Sequence, residues 1–304
     1  MHLAAKAIDH LELVEPAIER LNAIDRGGLL ERAAATLSSQ PRPFIRWAGS
    51  KQRLLSQIVE HLPSTYGRYY EPFFGAGALF FLLRPGRATL NDLCLPLVET
   101  YQTSARSPGA VLSALEPLDV MNKELYYRLR SSTPIDDVER AAQFIYLNRA
   151  AWNGLYRVNG KGQFNVPYGM PKSPNIVDEA NYRSASALLQ QPGVSMQHGD
   201  FEDAIANADS GDLVFFDPPY ASSKRREGFV DYNEKLFTWD DQRRLADVAE
   251  RLRQKGVKVI VTNAYNTAIG ELYPRFNHHA LIRRSSLASN KDLRRSVAES
   301  LFVS

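Results

Sequence analysis

Short apolar segments alternate with helical segments on both sides of a long interruption in this chain. The run RYYEPFFGAGALFFLLR predicts a strand, a glycine turn and a buried helix, and a second strand follows over residues 88–90. After residue 194 the alternation returns with VSMQHGD, DLVFFDPPY and VKVIVTN, and with a helix over residues 241–254. This alternation is typical of α/β folds, so we predict a doubly wound sheet.

The interruption lies between residues 103 and 193. Its first part, residues 107–151, has a helical pattern, and the stretch after it is dense in Asn, Gly, Pro and aromatic residues. We therefore predict one α/β domain made of residues 39–102 and 194–304. Residues 103–193 are predicted to form a mostly helical, loop-bearing insert.

The first 38 residues carry no chemical motif, but they show helical spacing. Leu11, Val14 and Ile18 recur along one helical face, and a second apolar set follows a Gly-Gly pair. A polar, proline-bearing break ends the segment. We predict a helical N-terminal extension over residues 1–38.

Composition excludes several classes of protein. Of the 304 residues, 44% are hydrophobic and 23% are charged, as in globular proteins. No apolar run approaches the roughly 20 residues of a membrane span, and the N-terminal residues do not form a secretory signal. We therefore expect a cytoplasmic protein with no membrane partner. The single cysteine, Cys94, excludes an internal disulfide and a cysteine-cluster metal site, and we expect no bound metal.

The charge balance is mildly basic. The chain has 37 basic and 34 acidic residues, a net charge of +3, which permits a nucleic-acid partner without requiring one. Basic residues cluster at 46–53, 224–226 and 283–295. Taken alone, such clusters favour a solvated face.

A glycine motif, Phe-Phe-Gly-Ala-Gly, occupies residues 73–77 after the first predicted strand. Glycines at such a turn let the backbone approach a bound nucleotide closely, although a G-x-G pair also occurs in plain turns. The third glycine of a dinucleotide fingerprint is missing, which disfavours an NAD enzyme. Asp92 ends the next strand, where an acid can bond ribose hydroxyls. The glycine motif and Asp92 together indicate a cofactor that contains adenosine and carries little or no phosphate.

Lys51 stands at the start of an amphipathic run. Ser50 before it is predicted to be a helix N-cap, so Lys51 falls in the first turn, where the helix dipole favours an acid. An exposed surface lysine is the simpler interpretation. The alternative is a side chain that meets an anion or a polar ligand at this helix start.

The tetrad Asp217-Pro218-Pro219-Tyr220 follows the apolar strand LVFF. Asp-Pro is common in plain turns, but open α/β sheets bind their ligands at the carboxyl ends of strands. The prolines fix φ and remove amide donors, so the nearby carbonyls have fixed directions. A carboxylate, a carbonyl and an aromatic ring together predict a site for an amino group on a flat heterocycle.

Four motifs in this order carry a family resemblance. They are FIRWAGSK at 44–51, EPFFGAG at 71–77, ND at 91–92 and DPPY at 217–220, with LNR at 147–149, WNGLYR at 152–157 and GQFNVPYG at 162–169 in the insert. The chain resembles the Dam-like, D12-class DNA adenine-N6 methyltransferases over residues 43–302. The first 38 residues lie outside the resemblance.

The resemblance implies a Rossmann-like methyltransferase fold with S-adenosylmethionine as cofactor. The implied cofactor-binding residues are Trp47, Lys51, Phe74, Gly75, Gly77, Asp92, Phe201 and Asp217. Phe201 would pack either on the cofactor adenine or in the core. The implied catalytic residues are Asp217, Pro218, Pro219 and Tyr220. Asp217 and the Pro218 carbonyl would accept the N–H groups of an adenine amine, and Tyr220 would stack on the flipped-out base.

The resemblance also implies double-stranded DNA as partner, with residues 103–193 as the target recognition domain. Trp152 stands where the family usually inserts a Tyr ring into the duplex, and Arg46 stands where it usually has Lys. Leu155 and Arg157 match a hairpin that reads outer base pairs, which favours GATC as target. The implied DNA-binding residues are Arg46, Arg130, Trp152, Asn153, Leu155, Arg157 and Asn159.

Two other functions stay open on sequence alone. The first is a catalytically silent DNA-binding protein on the same fold, which the intact tetrad argues against. The second is an amino methyltransferase for cytosine N4 or for RNA. Enzymes of the cytosine type usually have Ser in place of Asp217, so adenine is favoured.

Overall fold

Nine strands form two sheets in the part of the chain that the computed structural model describes, residues 22–34, 41–220, 237–284 and 296–304. They are β1 (Asn22–Ala23), β2 (Thr65–Tyr66), β3 (Tyr69–Glu71), β4 (Ala88–Asp92), β5 (Val194–His198), β6 (Leu213–Phe216), β7 (Lys258–Ala264), β8 (Asn277–Arg284) and β9 (Ser296–Val303). No helix within these ranges has the length and apolar character that a membrane crossing requires.

The larger sheet has seven strands in the order β5-β4-β3-β6-β7-β9-β8. Strands β3 to β7 are parallel where they pair with one another, whereas β9 is antiparallel to both β7 and β8. The chain builds outward from β3 through β4 and β5, and then adds β6 and β7 on the other side. The doubly wound prediction is confirmed. The order reverses between β3 and β6, and open α/β sheets bind ligands at such a switch point.

Eleven α-helices lie in the described ranges. They are α1 (Arg26–Ala34), α2 (Leu55–Val59), α3 (Ala78–Leu83), α4 (Leu95–Arg106), α5 (Pro108–Leu115), α6 (Lys123–Ser131), α7 (Asp137–Ala150), α8 (Glu179–Leu189), α9 (Phe201–Ala204), α10 (Trp239–Gln254) and α11 (Thr267–Leu272). Helix α10 confirms the helix predicted over 241–254. It begins at Trp239 because Thr238 and Asp241 form a capping box.

Two groups of buried apolar side chains lie on opposite faces of the large sheet. Along β6, Leu213 and Phe215 belong to one group, and Val214 and Phe216 belong to the other. Successive side chains of a strand point to opposite faces, so this alternation follows from strand geometry. The strand is buried on both faces, which explains its uninterrupted apolar sequence.

The insert shares the core of the α/β domain. Tyr101 of α4, Val111 of α5 and Ile145 of α7 belong to the same group of buried side chains as Leu213 of the sheet. Helix α4 also runs without a break across the boundary that we predicted between residues 102 and 103. The insert therefore starts as the continuation of a helix, and not after a linker.

The N-terminal extension is described only in part. Residues 1–21 and 35–40 lie outside the described residues, and so does the helix predicted around Leu11 and Val14. Helix α1 forms where the second apolar set predicted it, and its Leu29 is buried in the core. Asn22 and Ala23 were predicted to be helical, but they form β1, which pairs with β2. The Asn22 amide also donates to the Gly67 carbonyl at 2.6 Å, which favours the strand over the helix.

Candidate active site

A cavity of about 490 Å³ opens at the carboxyl ends of β3 and β6, where the strand order reverses. Ligand pockets have volumes of roughly 300–1,000 Å³, so a nucleoside-sized molecule fits. The walls come from residues 47–51, 73–79, 92–96 and 217–220, together with single residues from elsewhere. The fold therefore brings together motifs that lie far apart in the sequence.

The glycine motif forms a tight loop against aromatic rings. Gly75 and Gly77 have φ values of +48° and +66°. A Cβ atom on Gly75 would lie 2.7 Å from Trp47 Cδ1, and one on Gly77 would lie 2.2 Å from Phe74 Cζ. Trp47 in turn stacks on Tyr156 with ring centroids 5.5 Å apart. Only glycine fits both the backbone conformation and the space at these two positions.

Asp92 ends β4 and holds the glycine loop. Its Oδ2 accepts a hydrogen bond from the Gly75 amide at 2.8 Å, and its Oδ1 accepts one from the Cys94 amide at 2.9 Å. Burial raises the pKa of the Asp92 carboxyl, and the amide hydrogen bonds oppose that rise. Each carboxylate oxygen has a second lone pair, so Asp92 can also accept a hydroxyl from the cavity that it lines.

Lys51 is only 3% exposed, so the simpler interpretation, an exposed surface lysine, is wrong. Its Nζ lies 2.6 Å from Asp217 Oδ1 and donates to the Gly49 carbonyl at 2.7 Å. Residues 51–53 form a 3-10 turn before α2, and the Ser50 side chain makes no capping hydrogen bond, so the predicted N-cap is also wrong. Lys51 does meet an anion, but the anion is a carboxylate of the protein.

The Asp217 carboxylate is anchored through one oxygen. Oδ1 accepts from Lys51 and also from Thr262 Oγ1 at 2.7 Å, whereas no described residue donates to Oδ2. Burial raises the pKa of Asp217, and the Lys51 charge opposes that rise. The side chain lines the cavity, so Oδ2 is available to a ligand there.

A buried amide relay holds the prolines of the tetrad. Gln242 on α10 donates to the Pro219 carbonyl at 3.0 Å, and Asn263 on β7 donates to Gln242 Oε1 at 2.8 Å. Both amide side chains are fully buried. No described group donates to the Pro218 carbonyl, which makes it the second acceptor of the tetrad at the cavity.

The Tyr220 ring lies beside the Lys51 ammonium, with Nζ 4.6 Å from the ring centroid. This is a cation–π distance. The Tyr220 hydroxyl donates to Glu299 Oε2 at 2.5 Å. Burial and the nearby carboxylates of Asp217 and Glu299 raise the pKa of Tyr220, so the hydroxyl stays a neutral donor.

Glu71 is the last residue of β3. It lines the cavity and is 2% exposed, and its Oε2 accepts from the Tyr69 hydroxyl at 2.8 Å. Burial raises the pKa of Glu71 to about 8. Near neutral pH most of this side chain is therefore protonated, and it adds little charge to the site.

The two phenylalanines implied as cofactor ligands differ in position. Phe74 borders the cavity, and its ring packs on Tyr101 in the core. Phe201 is not part of the cavity wall, because it is buried against Phe73. Phe73 itself and Phe237, which the sequence did not single out, line the cavity instead.

The residues implied in DNA contact lie mainly after α7. Trp152 is 50% exposed, and Asn153 has a φ of +55° in the same 3-10 turn. The exposed Arg46 covers this turn, since a Cβ on Gly154 would lie 2.6 Å from Arg46 Cδ. Leu155 is half-buried and packs against the core. The structure brings Arg46, Trp152 and Asn153 together at the surface.

Arg157 and Asn159 lie in a short hairpin in which Val158 pairs with Phe164. Arg157 Nε donates to Asn165 Oδ1 at 2.8 Å. Asn159 Oδ1 accepts from the backbone amides of residues 161 and 163 and so stabilises the turn. The polar side chains of the hairpin are therefore bonded within the hairpin itself.

A second cavity, of about 610 Å³, lies between helix α4 and the insert. Arg106, Arg130 and Asn159 line it, and the Arg130 guanidinium also donates to the Val166 carbonyl at 3.1 Å. Tyr156 borders both this cavity and the one at the switch point. Pro96 borders both cavities as well, so the two cavities are neighbours that share these two residues.

Four buried residues that support the tetrad were missed by sequence reasoning. They are Gln242, Thr262, Asn263 and Glu299. No local motif marks them, and they reach the tetrad only because β7 lies beside β6 and β9 lies beside β7. The order of the last strands is the signal that would have found them.

A doubly wound sheet with this tetrad at its switch point defines a Rossmann-like methyltransferase. Residues 47–287 match the family model described as D12 class N6 adenine-specific DNA methyltransferase, and the chain belongs to this family. It is an adenine-specific DNA methyltransferase. Enzymes of this kind in general use S-adenosylmethionine and act on DNA.

The names of similar proteins agree with this assignment. The Type II methyltransferase M1.LlaDCHI of Lactococcus lactis subsp. cremoris is 41% identical over 247 residues, which cover 79% of this chain and 87% of the relative. The Type II methyltransferase M.MjaIII of Methanocaldococcus jannaschii is 36% identical, with 86% and 98% covered. The DNA adenine methylase of Escherichia coli (strain K12) is 33% identical, with 86% and 95% covered.

Proposed function

We propose that the protein is a site-specific enzyme that methylates N6 of a flipped-out adenine in duplex DNA, with GATC as the target sequence and S-adenosylmethionine as the cofactor. The observation that carries the proposal is the Asp217 carboxylate, which lines the cavity and is anchored through Oδ1, with no described donor to Oδ2. The cytoplasm, where the enzyme would meet nucleoid DNA, is the proposed location.

The residues around the cavity fit an adenosine-bearing cofactor. Asp92 lines the wall with spare lone pairs for ribose hydroxyls, and the loop of Gly75 and Gly77 lets a ligand approach the backbone. Trp47 and Phe73 offer apolar faces to a flat base. When bound, S-adenosylmethionine supplies an electrophilic methyl group on a sulfonium centre.

The tetrad would orient the amine that is to be methylated. The lone pair of an adenine amine is delocalised into its ring, so the amine is a poor nucleophile. Asp217 Oδ2 and the Pro218 carbonyl would accept its two N–H groups and favour a pyramidal nitrogen. Tyr220 would stack on the base, as base-modifying enzymes do with a flipped target. Orientation of this kind lowers the activation free energy by up to about 7–11 kcal/mol in favourable systems.

Residues 103–193 are the proposed target recognition domain. The half-exposed Trp152 ring is suited to enter the base stack beside the extruded adenine, with Asn153 next to it. Arg157 in the hairpin would read a guanine, since Arg bonded to guanine O6 and N7 is the commonest specific contact. Arg46, Arg130, Leu155 and Asn159 would complete the DNA surface.

Sequencing of methylated bases in a methylation-free host that expresses the chain tests the proposal. We expect N6-methyladenine in GATC, and no methylation from a matched Asp217→Ala chain. N6-methyladenine in another sequence would overturn GATC alone. N4-methylcytosine would support the cytosine alternative. DNA binding without methylation would support the silent DNA-binding protein.

A further inference from the structure

Glu299 is a buried acid on β9 that no motif of the sequence singles out. Its residue is 4% exposed, and it pairs in register with Ala264 at the end of β7. β7 also carries Thr262, which holds Asp217. Strands β7 and β9 therefore contact the tetrad at both of its ends, through Thr262 at Asp217 and through Glu299 at Tyr220.

Glu299 contacts two residues of the site at once. Its Oε2 accepts the Tyr220 hydroxyl at 2.5 Å and lies 3.7 Å from Lys51 Nζ. The same Nζ lies 2.6 Å from Asp217 Oδ1 and 4.6 Å from the centroid of the Tyr220 ring. Lys51, Tyr220 and Glu299 thus contact one another, and Asp217 is attached to this group through Lys51.

The tetrad needs such external support. β6 ends at Phe216, so the residues of the tetrad lie beyond the ladder of the sheet, and Tyr220 is the last of them. The Tyr220 side chain contacts Glu299 through its hydroxyl and the Lys51 ammonium beside its ring. Glu299 is held by a strand that pairs on both sides, with β7 and with β8. Glu299 on the paired strand therefore holds Tyr220, which lies beyond the end of β6.

We propose that Glu299 is a positioning residue for methyl transfer, which holds the Tyr220 ring for base stacking and holds Lys51 on Asp217 Oδ1, so that Oδ2 is directed to the amine. The inference rests on the proposed function of the tetrad. Glu299 touches neither the base nor the cofactor, and it acts through Tyr220 and Lys51.

The first test compares two substitutions at Glu299. In Glu299→Ala both contacts are lost, and we expect kcat for adenine methylation to fall by about a hundredfold, the scale of a displacement of about 1 Å in a reacting geometry. In Glu299→Gln the amide oxygen still accepts the Tyr220 hydroxyl but the charge is gone, and we expect a loss nearer about tenfold. The KM for S-adenosylmethionine should change less than about twofold in both, because the cofactor-binding residues stay in place.

A pH profile separates positioning from a merely structural role. Among the described groups, Lys51, Glu71, Tyr220 and Glu299 act on Asp217, and Glu299 raises its pKa. Neutralising Glu299 should therefore lower the pKa of Asp217. The acidic limb of the kcat profile in Glu299→Gln should then move to lower pH, since the carboxylate form is the active one.

A double-mutant cycle tests the route through Tyr220. Tyr220→Phe keeps the ring and removes the hydroxyl, so Glu299→Ala with Tyr220→Phe should cost clearly less than the product of the two single losses. Glu271→Gln, an exposed acid on α11, is the matched control and should behave like the wild type.

The outcomes are distinguishable. If the wild type methylates adenine and both Glu299 variants keep its kcat, the inference is wrong and the proposed function stands. If the wild type does not methylate adenine, the proposed function fails first. If Glu299→Ala does not fold, the kcat and the pH profile of Glu299→Gln test the inference instead. Wild-type values for both would overturn it.

Discussion

The cavity at the switch point and the hairpin of the insert differ in how their polar side chains are bonded. Around the tetrad at the cavity the partners are distant in sequence, since Tyr220 bonds a residue 79 positions away and Thr262 bonds one 45 positions away. In the hairpin, Arg157 bonds a residue 8 positions away, and Asn159 bonds one 4 positions away. One network is buried and tied to the whole fold, and the other is local and near the surface.

Under the proposed function, the buried network would serve catalysis and the hairpin would serve target choice. A network of buried, long-range hydrogen bonds is organised before a ligand arrives, which is the condition for electrostatic catalysis without reorganisation. A local hairpin exchanges its own hydrogen bonds for those of bases at small cost. Substitutions at the cavity should therefore affect all DNA substrates alike, whereas substitutions in the hairpin should change the preference among them.

The largest effect is expected for Asp217→Asn, which keeps the shape of the side chain and removes an acceptor. We expect single-turnover methylation to fall by at least about a hundredfold on every DNA sequence, the scale of a lost preorganised hydrogen bond in catalysis. Asp203→Asn, an exposed acid on α9, is the control. If the methylation rate falls on some DNA sequences only, the cavity also affects target choice, and the proposed division between the cavity and the hairpin is wrong.

Lys51→Met tests the electrostatics of the cavity. Lys51 lowers the pKa of Asp217 against the larger effect of burial. Without the ammonium this pKa rises, so less carboxylate is present at a given pH and the acidic limb of the kcat profile should move to higher pH. This shift is opposite to the one expected for Glu299→Gln. Lys258→Met, at the surface, is the control and should leave the pH profile of kcat unchanged. If the profile of Lys51→Met is also unchanged, Lys51 does not set the pKa of Asp217.

Asp92→Ala should weaken cofactor binding by about 1–3 kcal/mol, the scale of a lost hydrogen-bond acceptor with its partners left unpaired. The partners in the structure are the amides of Gly75 and Cys94, and the proposed function adds the ribose hydroxyls of the cofactor. Calorimetric titration with S-adenosylmethionine measures the effect. An unchanged Kd would remove Asp92 from the cofactor site, and Asp203→Ala gives the baseline.

The most confined effect is expected for Arg157→Ala. Discrimination at one outer base pair should relax by about 1–3 kcal/mol, while rates on the other positions stay the same. Methylation rates on single-base variants of the preferred site, at fixed salt, measure it. A uniform drop across all variants would mean that Arg157 contacts the phosphate backbone instead. Arg183→Ala on α8, whose side chain pairs with Glu179, is the control.

The residues of the site that belong to sequence motifs were predictable from the sequence. The buried residues that hydrogen-bond to them were not. The tetrad, Asp92 and the glycine loop lie at strand ends, so their position follows once the strands are recognised. Glu299 and Gln242 are ordinary strand and helix residues whose partners are set by strand order. Ser50 failed as a cap because the chain forms a 3-10 turn there, and the burial of Lys51 follows from a carboxylate that is distant in sequence.

The Tyr156 ring, which stacks on Trp47 and borders both cavities, has a thermodynamic consequence. It lies between Leu155 and Arg157 in the chain, so a ligand that moves it from one side changes the surface offered on the other. Linkage then requires reciprocity: any factor by which DNA changes the affinity for cofactor equals the factor by which cofactor changes the affinity for DNA. Under the proposed function, in which cofactor and DNA bind on either side of this ring, the two binding equilibria would be coupled through it.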